Sequence, residues 1–216
     1  TVEANAGGFT LTFTASDGVN LSTSASEFSL AFGPDWSAGT QEAKIQASDI
    51  EVNANFGNAV SISGDGNTAI VSADGEDTGG VSNAGAAYIF TRSGTTWTEE
   101  AKIVASDADV SDYFGHSTAI SSDGNTVIVG AKYEDAGGIN NAGASYVFTR
   151  SGTTWSQQAK IVVSGGVAND WFGYSVSISS DGNIVAIGAP KEDTGGATAG
   201  AAYIFTRSGT TWSQEA

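Results

Sequence analysis

Ala142-Gly143-Ala144-Ser145-Tyr146-Val147-Phe148-Thr149-Arg150-Ser151-Gly152-Thr153-Thr154-Trp155 is the stretch that decides the fold. Tyr146-Val147-Phe148 is a continuous apolar, β-favouring run. Ser151-Gly152-Thr153-Thr154 makes a hairpin, and Trp155 opens the next run. Nearly the same words end at Trp97 and at Trp212. Working outward, Phe56-Gly57, Phe114-Gly115 and Phe172-Gly173 recur at a spacing of 58, as do Lys44, Lys102 and Lys160. The last Trp interval is 57, because the loop before Gly200 is one residue shorter, the kind of change loops tolerate. A fixed period of this length is the mark of a repeat architecture.

Each unit reads as four strands, a to d. Strand a starts at Phe-Gly, as in residues 114–121. An Asp-Gly-Asn hairpin follows at Asp65, Asp123 and Asp181, since these residues accept positive φ. Strand b covers 68–73, 126–131 and 184–189. A Gly-rich acidic loop leads to strand c, as in 143–150, and strand d starts at the Trp, as in 155–163. Ala69-Ile70-Val71 and Val127-Ile128-Val129 are apolar at consecutive positions, which suits a small sheet covered on both faces. Four-stranded sheets at this period are propeller blades. The expected fold is all-β: three four-stranded antiparallel blades forming an incomplete propeller or arc, essentially without helix.

These residues resemble the FG-GAP repeat. Phe-Gly opens strand a, and Gly130-Ala131-Lys132 and Gly188-Ala189-Pro190 close strand b; the third copy spells Gly-Ala-Pro in full, whereas the first has Ser72-Ala73-Asp74. The resemblance covers about residues 40–216. It implies blades of the kind found in integrin α-subunit heads and in bacterial and viral surface proteins, and the family often carries a calcium loop in the a–b hairpin. Here only one carboxylate of that loop is present, with Val127 where its last acid should stand. Asp123 and its equivalents therefore read as turn residues, because calcium takes six to eight oxygens, several from carboxylates.

Residues 1–39 lie outside the repeat. Phe9, Leu11 and Phe13, then Phe28, Leu30 and Phe32, alternate with small polar residues around Asp17-Gly18. They read as two strands with one buried face each and resemble the end of an immunoglobulin- or cadherin-like sandwich. The expected domains are thus 1–39 and 40–216, the latter divided at about 40–98, 99–156 and 157–216. Strand counting gives a lone strand d over Glu42 to Ala47, two complete blades and a third with a shortened d. Propellers close with roughly four to eight blades. Three blades cannot close, so an excerpt of a longer chain, a partner-completed ring or an open array is expected.

Charge bounds the partners. With 8 Lys+Arg against 24 Asp+Glu the formal net charge is −16, which disfavours nucleic acid and anionic lipid. No apolar run approaches membrane-spanning length, so no membrane insertion is expected. There is no Cys for disulfides or thiolate metal sites. His116 is the only histidine and has no nucleophile motif around it, and no phosphate-binding Gly loop precedes a helix. No enzyme is expected.

Antiparallel blades place the d–a and b–c loops on one edge. That edge holds Glu76-Asp77, Glu134-Asp135 and Glu192-Asp193 ahead of their Gly-Gly pairs, with Asp112 and Asp170 nearby. It reads either as a solvated acidic surface or as a face collecting cations. If Ca2+ is a cofactor, Asp77, Asp135, Asp193, Asp112 and Asp170 are the expected metal ligands. Ligand-face candidates are Trp171 and Tyr113, from the d–a loops, with Glu134 and Glu192. The periodic Lys and Arg are expected to pair with blade carboxylates; Lys132 and Lys191 are the exceptions. The expected role is a non-catalytic module for adhesion to a protein or glycan partner, extracellular or on a cell or virion surface. The alternative is a structural subunit of a fibre, filament or surface layer in which copies of the chain complete one another.

Overall fold

The computed structural model describes residues 3–5, 8–12, 27–30, 41–49, 51–193 and 196–215. The chain divides into two compact units, Thr1–Glu42 and Ala43–Ala216. In the first, β1 (Glu3–Asn5), β2 (Gly8–Thr12) and β3 (Glu27–Leu30) form one sheet in that order. Phe9 lies opposite Leu30, and Leu11 opposite Phe28. β1 is an extra strand that the alternation of Phe and Leu did not announce. Phe13, Asp17, Gly18 and Phe32, on which the likeness to a sandwich end also rests, lie outside the described residues.

The second unit is three four-stranded antiparallel sheets. β4 (Val60–Ile62), β5 (Thr68–Ala73), β6 (Ala86–Ser93) and β7 (Thr96–Ile103) make the first blade. β8 (Phe114–Ile120), β9 (Thr126–Ala131), β10 (Ala144–Ser151) and β11 (Thr154–Ile161) make the second. β12 (Ser175–Ile178), β13 (Ile184–Ala189), β14 (Ala201–Ser208) and β15 (Thr211–Gln214) make the third. Two 3-10 turns, Thr78–Gly80 and Ala136–Gly138, are the only helical pieces among the described residues. The three sheets do not close: this is a propeller arc of three blades.

The strand order a to d read from the sequence is the order within each sheet. The expected boundaries near 98 and 156, however, fall inside β7 and β11, so the units at 99–156 and 157–216 begin on the last strand of one blade and take the first three strands of the next. The lone strand d expected over Glu42 to Ala47 is not formed; residues 41–47 are irregular. A strand d needs a strand c to pair with, and residues 41–47 pair with no strand among the described residues.

The hairpins follow from their residues. Asp65 Oδ1 accepts from Ser63 Oγ (2.6 Å) and Asn67 N (3.0 Å), while its Oδ2 accepts from Asn67 Nδ2 (3.0 Å). These bonds hold the Asp65 carboxyl down at about 2. Asp123 and Asp181 repeat the pattern, so all three carboxylates are engaged within their own turns.

The core lies between blades. Ile70, Ala87, Ile89 and Ile103 of the first blade pack on Phe114, Val127, Val129, Tyr146 and Phe148 of the second. Ile128, Val147 and Ile161 meet Phe172, Val185, Ile187 and Phe205 in the same way. Burying each large apolar side chain contributes about 1.5–3 kcal/mol. Backbones join the blades too: Phe114 N donates to Ala84 O and Phe172 N to Ala142 O, both at 2.9 Å. A Cβ on Gly85 or Gly143 would lie 2.0 or 2.1 Å from the Phe114 or Phe172 carbonyl oxygen, so only glycine fits there. Along strand d, Glu100 Oε1 accepts from Trp155 Nε1 (2.9 Å) and Arg150 Nη1 (3.1 Å) of the next blade. Gln158 takes the same place for Trp212 and Arg207. The repeated Trp and Arg thus fasten blades together.

The two ends of the arc are open. Ile89 and Val147 are fully buried, whereas the equivalent Ile204 is 38 % exposed. On the opposite face of the first blade, Val60 and Ile62 are 67 % and 57 % exposed beside an apolar depression of about 540 Å³ that Phe56 and Val71 also line.

Candidate functional site

The d–a and b–c loops interlock on one edge. Ser111 N donates to Ser82 O (2.9 Å) and Tyr113 N to Asn83 O (3.1 Å), so the d–a loop of the second blade rests on the b–c loop of the first. Asn169 N to Asn140 O (3.0 Å) repeats this one blade later.

Each Glu-Asp pair splits its labour. The Asp closes the loop: Asp77 Oδ1 accepts from Asn83 N (2.8 Å), Asp135 Oδ1 from Asn141 N (2.7 Å), and Asp193 Oδ1 from Thr198 N. In the first two copies the Glu turns inward to the lysine of strand d. Lys102 Nζ lies 2.6 Å from Glu76 Oε1 and 2.7 Å from Asp49 Oδ2. Lys160 Nζ lies 2.6 Å from Glu134 Oε1 and 2.7 Å from Asp107 Oδ2. Glu134 and Glu192, expected on a ligand face, are therefore buried, at 7 % and 8 % exposed. Their carboxylates therefore lie beneath the loop edge rather than projecting from it.

Of the five carboxylates expected as calcium ligands, Asp112 and Asp135 line one cleft, while Asp77, Asp170 and Asp193 lie in other loops. Asp112 Oδ2 accepts from Asp109 N (2.8 Å) and Asp170 Oδ2 from Val167 N (2.7 Å), each bracing its own d–a turn. Among the described residues no three acidic or histidine side chains converge as a metal shell. Asp77, Asp135 and Asp193 sit in separate blades, each engaged with a backbone N–H, which is why shared spacing in the sequence does not become shared space.

Two features stand out on this edge. One is an acidic cleft of about 430 Å³ between Asp107, Asp109, Asp112, Tyr133, Glu134 and Asp135. Burial lifts the Asp112 carboxyl to about 6, with Glu134 and Asp109 adding to the rise. Burial also raises Glu134, although Lys160 opposes it.

The other is an aromatic cluster between the second and third blades. Tyr113 meets Tyr133 edge-on (centroids 5.5 Å), and Tyr133 meets Trp171 (5.4 Å). Trp171 lies parallel to Tyr174 at 6.2 Å, and His116 is 5.0 Å from Tyr174. Lys132 Nζ is 4.8 Å from the Tyr133 centroid, 5.6 Å from Tyr174 and 6.0 Å from Trp171; Lys191 Nζ is 3.4 Å from Trp171. Tyr113 and Trp171 have φ of 55° and 60°. A side chain with a Cβ costs about 1–2 kcal/mol in that region. Asn55, at the equivalent place with φ 59°, is a residue that tolerates it.

Of the residues expected on the ligand face, Trp171 and Tyr113 are thus brought together. The sequence reading missed Tyr133 and Tyr174 and assigned no role to Lys132 and Lys191. The available signal was the departure of the copies from one another at these positions, where Asn58, Asp74 and Gly75 stand in the first copy.

Comparison with known proteins bears on the frame that carries this edge. A family model described as FG-GAP repeat matches residues 40–90, 97–148 and 155–205. No protein of curated function matches the chain. Among solved structures, a protein from Bacteroides uniformis named for 6-phosphogluconolactonase aligns at 12 % identity over 97 % of this chain and 47 % of its own, with TM-score 0.51. Sqt1 of Saccharomyces cerevisiae aligns at 9 % identity over 76 % of this chain and 36 % of its own, with TM-score 0.47. TolB of Acinetobacter baumannii aligns at 12 % identity over 72 % of this chain and 31 % of its own, with TM-score 0.41. The chain spans between about a third and a half of the length of these structures.

Proposed function

The chain belongs to the FG-GAP repeat family, and from that premise we propose that it is a non-catalytic β-propeller recognition module, extracellular or on a cell or virion surface, that binds a protein or glycan partner through its d–a and b–c loop edge. The observation that carries this reading is where the copies differ. The c–d hairpin is spelled almost identically three times, while the loop edge changes in size and charge from copy to copy: Asn55, Tyr113, Trp171 at one position and Asp74, Lys132, Pro190 at another. Rigid blades carrying variable loops are a common design for recognition.

A non-catalytic role agrees with the state of the repeated acids. Glu76 and Glu134 are ion-paired to Lys102 and Lys160, as befits architecture. The likeness to the protein named for 6-phosphogluconolactonase is one of fold, at 12 % identity, and carries no activity.

The test is a binding screen of the labelled chain against glycan and protein arrays and whole cells. Loop-edge substitutions should abolish each hit, and substitutions on the a–b and c–d hairpin edge should not. A hit that depends only on the hairpin edge, or no hit at all, would sink the reading.

A second reading is favoured by the open ends. The face of Ile184 and Ile204 is equivalent to the covered faces of the first two blades, and the face of Val60 and Ile62 is the kind that such a face covers. A second copy could supply the missing neighbour, giving a structural subunit assembled blade to blade.

A further inference from the structure

Beyond Lys44, which lies in the irregular segment before the first blade, the lysines divide into two kinds. Lys102 and Lys160 are held by carboxylates. Lys132 and Lys191 make no ion pair among the described residues, in a chain with 24 Asp+Glu. Both ammoniums instead lie against ring faces, those of Tyr133, Trp171 and Tyr174. A cation on a π-face is attracted to it without losing all of its donors, so its outward N–H groups remain able to meet an anion. Burial lowers the Lys132 ammonium, and the charge acting against that is Asp74, itself bonded by Asn55 and 3.4 Å from His116.

The cluster is held at a structural cost. Trp171 has a positive φ, and its indole Nε1 is buried without an acceptor. Tyr113 has the same backbone strain. Asparagine at both places would relieve it, as Asn55 does in the first copy. Strain of this kind persists where the surrounding structure holds it in place, and it clusters at functional sites. Among the described residues the lysines and aromatics also gather only once, between the second and third blades. The first copy has Asn55, Asn58, Asp74 and Gly75 in their places.

We propose that Lys132 and Lys191, with Tyr133, Trp171 and Tyr174, form a binding site for an acidic saccharide. The two ammoniums take its carboxylate or sulfate, and the exposed ring of Tyr174 meets the apolar face of a pyranose. The proposal rests on the recognition reading above and names the ligand class of that edge. The site's apolar surface is aromatic, without an aliphatic side chain among these groups, which suits a sugar ring better than an apolar peptide anchor. The neighbouring acidic cleft of Asp107, Asp109 and Asp112 repels anions placed elsewhere and so orients the ligand's charge toward the lysines.

The test titrates the whole chain, labelled with ¹⁵N, with matched saccharide pairs: 3′-sialyllactose against lactose, a glucuronate disaccharide against its neutral counterpart, and a sulfated disaccharide against its unsulfated form. An acidic member should bind at least about tenfold tighter than its neutral twin and shift the Trp171 indole signal, assigned by its loss in W171F. The K132Q/K191Q double variant should bring acidic binding down to the neutral level at unchanged melting temperature. Salt should weaken the acidic member selectively. The proposal is overturned if no acidic saccharide moves that signal, or if the double variant binds like the parent. Binding of an acidic peptide alone, lost in K132Q/K191Q, would overturn the saccharide assignment and leave the recognition edge standing. Array hits that survive the double variant would move the recognition site elsewhere on the edge.

Discussion

Lys160 Nζ lies 2.6 Å from Glu134 Oε1, tying the last strand of the second blade to its b–c loop, and the same pair recurs as Lys102 and Glu76 at the same distance. Glu134 is buried, its Oε2 has no hydrogen-bond partner, and Asp107 shares the ammonium. The lysine is what allows two carboxylates to sit there.

Removing that cation alone should be severe. K160M leaves Glu134 buried and uncompensated, and should cost about 3–5 kcal/mol. The E134Q/K160M double variant removes the stranded charge and should recover at least half of the loss. Urea denaturation of the four members of the cycle measures this. Equal stability of K160M and the double variant would mean that the pair is not coupled.

Asp112 gives a pH dependence of definite sign. Its folded value of about 6 lies above the ordinary 3.8, so the native state holds the proton more tightly than the unfolded one. Its contribution favours folding at low pH and is lost as pH rises from about 4 through 6. D112N keeps an acceptor for Asp109 N and should stabilise the chain at pH 7 by about 1–3 kcal/mol. Near pH 4 the gain should vanish. Thermal melts at the two pH values decide; a gain that does not depend on pH would refute the assignment.

Two glycines of similar backbone should respond differently. Gly143 and Gly152 both have positive φ, at 87° and 64°. A Cβ on Gly143 would strike the Phe172 backbone, whereas one on Gly152 meets nothing within 4 Å. G152A should cost about 1–2 kcal/mol. G143A should cost about 2–5 kcal/mol, since it adds overpacking of the blade junction. Denaturation midpoints compare them directly.

The open faces predict a concentration-dependent mass. If copies join through Val60 and Ile62 on one side and Ile204 on the other, two arcs of three blades reach six, within the range of about four to eight in which propellers close. V60E/I62E should then leave a monomer. Sedimentation over a wide concentration range reads the outcome. A parent chain that stays monomeric throughout would remove the structural reading.

Much of this architecture was legible in the residues, and the exceptions are instructive. The Asp-Gly-Asn turns and the Trp at each strand d are local signals, so strands such as 68–73 and 126–131 appear where expected. Glu42 to Ala47 misled because its resemblance to strand d is local while strand pairing is not. Glu134 and Asp135 are adjacent acids with opposite destinations, one inward and one in the loop. The clue was a lysine 26 residues on, repeated for Glu76 and Lys102. The left-handed backbone at Tyr113 and Trp171 was visible only through Asn55 at the same station of the first copy.

The one-strand offset between written repeat and folded blade bears on how such a chain changes over generations. Crossing-over between two misaligned copies inserts or deletes a stretch of one period, and the cut then falls within matching strands. Each fused strand still finds its partners, so the array lengthens or shortens by whole blades without passing through a broken sheet. Inheritance can therefore vary the number of blades while the wedge between any two of them stays as it was.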